Sequence, residues 1–281
     1  INADITGTQA GNANGFGTAN PDLSVFFENG SGHTIGGVNP GDRNIMSSGA
    51  WAGIYLDGVT NTTIQGNLIG VYADGITASG GQDTGIIVDN SSSIQIGGLV
   101  DGAGNVIGGA IDTGIWLQNV NASVVQGNYI GTDVSETYDL GVQDSGLGLS
   151  GTSSGNLIGG TAPDAGNVFG YIGTVSNGIG LDSGATGNSL LGNRMFGFNN
   201  IPIGFGGAFS STIPANDNLD TDTGSNDLQN YPIITNVQVN GSDLEITGTF
   251  NSLANTTFRL EFFGNRTAGN LGMMADYLGA T

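Results

Sequence analysis

Six short segments of the chain share one hydrophobic pattern: SVFF (24–27), GIYL (53–56), GIIV (85–88), GIWL (114–117), GLGL (146–149) and GIGL (178–181). Apolar residues recur at every second position, the period of a strand with one buried face. Successive segments start 29 to 32 residues apart. Apolar pairs at i, i+2 and frequent glycine exclude amphipathic helices, which need apolar residues at i, i+3 and i+4. The alternation predicts two inward columns. One is Val25, Ile54, Ile86, Ile115, Leu147 and Ile179; the other is Phe27, Leu56, Val88, Leu117, Leu149 and Leu181.

Two motifs repeat between these strands. IGG, six residues and Asn occur at 35–44, 96–105 and 158–167. The second motif is IQGNLIG (64–70), VQGNYIG (125–131) and a degraded LLGNRMF (190–196). Three short strands, such as GIIV, SIQIGG and NVIGG, fill one spacing. In a solenoid each coil meets only its neighbours, so every copy sees the same surroundings. A β-sandwich does not explain near-identical copies. The 61 positions from Ile64 to Val125 are then two coils. The motif asparagines form two series, Asn44, Asn105, Asn167 and Asn67, Asn128, Asn193. They are expected at corners, in left-handed backbone and stacked as an amide ladder. Glycine supplies positive φ at the other corners. Six coils at ~4.8 Å each give a core about 29 Å long.

NTTIQGNLIG, GNYIGTD, IGGTAPDAGNVFG and RNIMSSG resemble the right-handed parallel β-helix repeats of the pectin-lyase-like superfamily, and more narrowly those of large secreted bacterial surface proteins. The resemblance covers about residues 23–205 and continues through DTDTGSNDLQNYPIIT (220–235) and LEITGTFNSLANTTFRLEFFGN (244–265). It implies an all-β chain: a right-handed parallel β-helix of about six coils, then a small β-sandwich-like strand module. The expected organisation is an N-terminal cap (1–22), the β-helix (23–205), an acidic linker (206–230) and the C-terminal module (231–281). The superfamily spans lyases, hydrolases, epimerases, tailspikes and adhesive rods, so the fold alone leaves function open.

Composition narrows the choice. The 281 residues include no Lys and 4 Arg, against 20 Asp and 4 Glu, for a net charge of −20. Phosphate backbones and anionic membranes need clustered cations, so nucleic acid and acidic lipid are excluded as partners. Cysteine is absent, which removes disulfides and thiolate metal sites. No apolar run approaches the ~20 residues of a membrane span. INADITGTQAG lacks a signal-peptide pattern and reads as a chain already processed or trimmed. Sequons at Asn61, Asn90, Asn121, Asn240, Asn255 and Asn265 are of the kind a Ser/Thr/Asn-rich solenoid produces by chance.

The linker concentrates acids. Asp217, Asp220, Asp222, Asn226 and Asp227 offer the hard oxygens that Ca²⁺ prefers, although no Glu closes the loop as in EF-hands. Residues 231–265 read as three strands, with VNGSD as a hairpin connection. A sandwich usually needs about seven strands. Either the chain has been cut or a neighbouring molecule completes the sheet by strand addition.

Catalytic signatures are sparse. His33 is the only histidine and reads as a surface or turn residue. Arg43 occupies the slot of Gly104 and Gly166, which suits a capping role. Asp57 and Asp89 are expected one coil apart as turn-capping residues, although glycosidases need only two carboxylates about 5–9.5 Å apart. The outward residues Tyr55, Ile87 and Trp116 predict an apolar stripe for a protein or sugar partner, with the loop 132–143 as a candidate cover. Two functions follow. One is an extracellular structural or adhesive protein, a subunit of a surface filament. The other is a carbohydrate-active enzyme, a hydrolase or lyase acting on a neutral glycan.

Overall fold

The structure, a computed structural model, describes residues 22–47, 50–173, 177–197, 201–207, 213–265 and 274–281. The expected N-terminal cap lies outside the described residues but for Asp22. Coil 1 consists of β1 (Leu23–Ser31), β2 (Thr34–Gly36) and β3 (Ile45–Met46), and coil 2 of β4 (Ala52–Thr60), β5 (Thr63–Gln65) and β6 (Leu68–Ile69). Coil 3 follows with β7 (Thr84–Asp89), β8 (Gln95–Gly97) and β9 (Val106–Ile107), and coil 4 with β10 (Thr113–Gln118), β11 (Val124–Gln126) and β12 (Tyr129–Ile130). Coil 5 holds β13 (Ser145–Ser150), β14 (Leu157–Gly159) and β15 (Val168–Gly170), and coil 6 holds β16 (Ile179–Leu181), β17 (Ser189–Leu191) and β18 (Arg194–Phe196). A further strand, β19 (Ile203–Phe205), opens the next turn.

The strands stack into three parallel sheets. Sheet I joins β1, β4, β7, β10, β13, β16 and β19; sheets II and III take the second and third strand of each coil. Both inward columns form in the predicted register, from Val25↔Ile54 through Leu147↔Ile179, and Ile203 and Phe205 extend them by one strand. Ile54, Leu56, Ile86, Ile115, Leu117, Leu147, Leu149 and Leu181 are fully buried. Each such side chain stabilises by roughly 2 kcal/mol. Sheet III adds Ile69, Ile107, Ile130, Phe169 and Met195, also fully buried. This column explains the glycine that opens five of the six sheet I segments. A Cβ on Gly53, Gly85, Gly114, Gly146 or Gly178 would lie 2.4–2.6 Å from Ile69, Ile107, Ile130, Phe169 or Met195 respectively.

The two asparagine series merge into one ladder. Asn44, Asn67, Asn105, Asn128 and Asn167 each donate Nδ2–H to the Oδ1 of the next at 2.9–3.0 Å, ending on Asn193, whose own Nδ2–H goes to Ile158 O (2.8 Å). Contrary to expectation, these asparagines are not left-handed. That conformation falls one residue earlier, on Gly66, Gly127 and Gly192, at φ 65°, 64° and 64°. A Cβ at Gly66 would lie 2.1 Å from the Gly37 carbonyl oxygen, so only glycine fits between the flanking corners. Left-handed asparagines occur at the first corner instead. Asn29, Asn90 and Asn119 have φ of 46–61°, in register with the left-handed Gly58 and Gly151.

Corner length alternates. Between sheets II and III the connections are residues 37–44, 98–105 and 160–167 on odd coils, but only 66–67, 127–128 and 192–193 on even ones. Between sheets III and I, coils 2 and 4 carry the long connections 70–83 and 131–144. The structural repeat is therefore a pair of coils.

The C-terminal chain closes the far end of the stack. Gly207 N–H donates to Leu181 O (3.0 Å), Asn226 N–H to Ala185 O (2.8 Å), and Met195 and Met274 exchange backbone bonds. Instead of one growing sheet there are two antiparallel pairs, β20 (Ile233–Asn240) with β21 (Asp243–Thr249), and β22 (Glu261–Gly264) with β23 (Asp276–Ala280). Among the described residues no helix is long and apolar enough to cross a membrane.

Candidate functional site

The segment after β19 is folded by side chains. Ser225 donates Oγ–H to Leu181 O (2.9 Å) and accepts from Gly206 N–H (3.0 Å). This anchor brings Asp217, Asp220 and Asp222 together, with one carboxylate oxygen of each within 4.8 Å of the others. Asp220 is only 8% exposed. It accepts from Gln229 Nε2–H (2.6 Å), Asn230 N–H (2.9 Å) and Ser252 Oγ–H. Asp217 accepts from Thr221 N–H (3.2 Å) and Oγ1–H (3.1 Å). Asp222 Oδ1 is buried and has no hydrogen-bond partner. Carboxylates this close repel by roughly 3 kcal/mol per pair at an effective dielectric of about 20, and a divalent cation removes that penalty. The donor set is all hard oxygen, the kind Ca²⁺ takes.

The other two residues of the acidic motif stand apart. Asn226 accepts from Asn188 N–H (2.9 Å) and donates Nδ2–H to Asn188 O (2.7 Å), continuing the amide run Asn156–Asn188. Asp227 is exposed and outside the three-aspartate group.

On sheet I, Tyr55, Ile87 and Trp116 lie in register, and Phe26 extends the row at the other end. The row is half-buried rather than open. Phe26 and Tyr55 stack at 5.2 Å, Ile87 is 4% exposed, and Trp116 donates Nε1–H to Ser150 Oγ (2.8 Å). Past Trp116 the row becomes Gly148, Gly180 and Gly204. Acids flank it. Burial, then Asp57, Asp89 and Glu28, push the Tyr55 phenol up. Burial and then Asp57 push the Asp89 carboxyl up. Asn90 donates Nδ2–H to Asp57 Oδ1 (3.1 Å), and Asn119 does the same to Asp89 Oδ1 (3.5 Å), so both acids are engaged at the corner.

The loop 131–144 faces a different way. Its Val134 and Glu136 line a groove of about 810 Å³ over the outer side of sheet III. Within the loop, burial pushes the Asp133 carboxyl up, but hydrogen bonds from Ser135, Tyr138 and Thr137 outweigh it and hold the pKa at about 2. At the entry to sheet I, burial and then Asp144 push the Asp112 carboxyl up. His33 stacks on Phe27 at 4.4 Å, and Arg43 donates Nε–H to Gly66 O (3.0 Å).

Sequence reasoning missed the groove and the Asp112–Asp144 pair. The pair is one coil apart in sequence, and the stack could have revealed it. The groove joins residues from five corners between sheets II and III, the loop 131–144 and the last hairpin, and no local motif marks it. A scan against protein-family models and a search of curated proteins each gave no match to this chain.

Proposed function

We propose that the chain is an extracellular structural or adhesive protein, a subunit of a surface filament in which strands are added between molecules. One observation carries this reading. The β20–β21 hairpin pairs Val237 with Ile246 and Val239 with Leu244 on one face, and Gln238 with Glu245 on the other. Its apolar face is uncovered: Val237 is 53% and Val239 76% exposed. A lone two-stranded hairpin is marginally stable in water, so a face of this kind favours further strands. Among the described residues β20 pairs only with β21.

Two features support the reading. Ca²⁺ held by Asp217, Asp220 and Asp222 stiffens the junction between the stack and the hairpin, because Ser252, just past β21, is bound to Asp220. The Tyr55–Ile87–Trp116 row supplies a second contact for a protein or glycan surface. The extracellular placement rests on the likeness of the repeats to those of secreted surface proteins.

Sedimentation and negative-stain imaging over a concentration series test the proposal. Head-to-tail oligomers or fibres are expected, and Val237→Lys with Val239→Lys abolishes them. A strictly monomeric rod at the highest concentration rejects it.

A further inference from the structure

The groove over sheet III collects all three arginines among the described residues: Arg43, Arg194 and Arg259. In a chain of net charge −20 without lysine this is a marked concentration of cations. It is not an anion site. Asp101, Glu136, Asp164 and Glu261 share the walls, four carboxylates against three guanidiniums. Arg194 holds Glu136 in a fork, Nη1 to Oε1 at 2.6 Å and Nη2 to Oε2 at 2.8 Å. Arg259 donates Nε–H to Glu261 Oε1 (2.9 Å) and Nη2–H to Tyr277 Oη (2.9 Å). An incoming anion would compete with carboxylates already in place, inside a strongly negative field. An incoming cation would meet the arginines. The lining suits a ligand without charge.

The forks remain reachable. The Arg194 and Glu136 side chains are 27% and 22% exposed, and Arg259 is 39% exposed. Their spare lone pairs and N–H groups present donors and acceptors at fixed positions, the arrangement that reads hydroxyl groups. Tyr129 and Tyr277 add rings to the walls, apolar on the face and polar at the tip. Arg43 stands at the rim, its Nε spent on Gly66 O and its two terminal amino groups without a protein partner among the described residues.

The floor argues against an extended peptide. It is backbone at Gly127 and Gly192, where a Cβ would lie 2.6 Å from Gly98 O and 2.5 Å from Gly160 O. The N–H groups beside it are already used between coils: Gly98 to Gln126 O, Gly127 to Ala165 O and Gly160 to Leu191 O. A peptide gains affinity from an open strand edge, and this floor offers none. Side chains supply the polar recognition.

From this we infer that the groove is a binding site for a neutral oligosaccharide, laid along the stack from Arg43 on coil 1 to coil 6. The site is separate from the Tyr55–Trp116 row, which belongs to sheet I, and it does not depend on filament formation.

Calorimetric titration of the full chain tests it, with neutral tetrasaccharides (of glucose, mannose and xylose), tetragalacturonate, deacetylated chitotetraose and a neutral Ser/Thr/Val decapeptide as probes. At least one neutral tetrasaccharide is expected to bind. Tyr277→Ala and Arg43→Ala each weaken it tenfold or more, and Ile213→Ala, at an exposed position outside the groove, leaves it unchanged. Arg43 is exposed, so its variant folds even where Tyr277→Ala loosens the last hairpin. The inference is overturned if no neutral tetrasaccharide binds, if a charged sugar or the decapeptide binds more tightly, or if binding survives both groove substitutions. Sedimentation of the same samples reports the filament proposal separately, so a monomer that binds sugar rejects that proposal alone.

Discussion

Asn67 donates Nδ2–H to Asn105 Oδ1 at 3.0 Å, although 38 residues separate them. Asn67 N–H donates to the same oxygen, also at 3.0 Å. The amide of Asn105 in turn donates to Asn128 Oδ1 and Ile64 O, both at 2.9 Å. One fully buried side chain thus serves three coils.

Asn105→Ala leaves Asn67 N–H, Asn128 Oδ1 and Ile64 O short of partners in a dry interior. Such groups cost about 1–3 kcal/mol each, so a loss of roughly 3 kcal/mol is expected in urea unfolding. Asn44, half-buried at the ladder's end, loses less as Asn44→Ala. Equal losses at the two positions would refute the ladder as a cooperative element.

Glycine roles separate by substitution. Gly66 and Gly155 both have φ of 65°. A Cβ at Gly66 collides with Gly37 O, whereas nothing lies within 4 Å of one at Gly155. Gly155→Ala bears only the left-handed penalty of about 1 kcal/mol. Gly66→Ala adds displacement of the flanking corner and is expected to cost several-fold more, read as a drop in melting temperature.

The pH response has two opposing parts. Asp133 has its carboxyl lowered from 3.8 to about 2. Its contribution is complete above pH 3.8 and is lost as pH falls from there towards 2. Asp133→Asn should therefore destabilise at pH 7 and have little effect near pH 2. Asp112 is shifted the other way, by burial and then by Asp144. A raised carboxyl disfavours the folded state as pH rises through its folded value, so Asp112→Asn is expected to stabilise slightly at pH 7. That gain should vanish in acid, and thermal melts from pH 2 to 8 read both.

Calcium is expected to raise the melting temperature of the unmodified chain and to release heat on titration. Asp220→Asn with Asp222→Asn removes both effects, and EDTA reverses the first. Absence of heat from the unmodified chain rejects the site.

The core was legible because stacking repeats the same surroundings. Every inward residue of sheet I from Val25 to Leu181 could be placed by alternation alone, and the distance from Ile64 to Val125 gave two coils. The backbone of the ladder was misread because Asn and Gly both favour left-handed corners. The deciding fact is a carbonyl, Gly37 O, that comes from another coil. The three aspartates were found by their spacing, but Asn226 was drawn away by an amide run reaching it from Asn188. Arg43, Tyr129, Arg194, Arg259 and Tyr277 share one groove, and nothing local in the sequence links them.

Corner lengths that alternate coil by coil restrict how such a rod is lengthened or shortened. Removing a single turn would set 37–44 directly against 98–105, two bulky bends where the two-residue Gly66–Asn67 corner had separated them. Excising or duplicating about sixty residues preserves the interleaving. Growth of the gene by recombination is therefore expected in even steps.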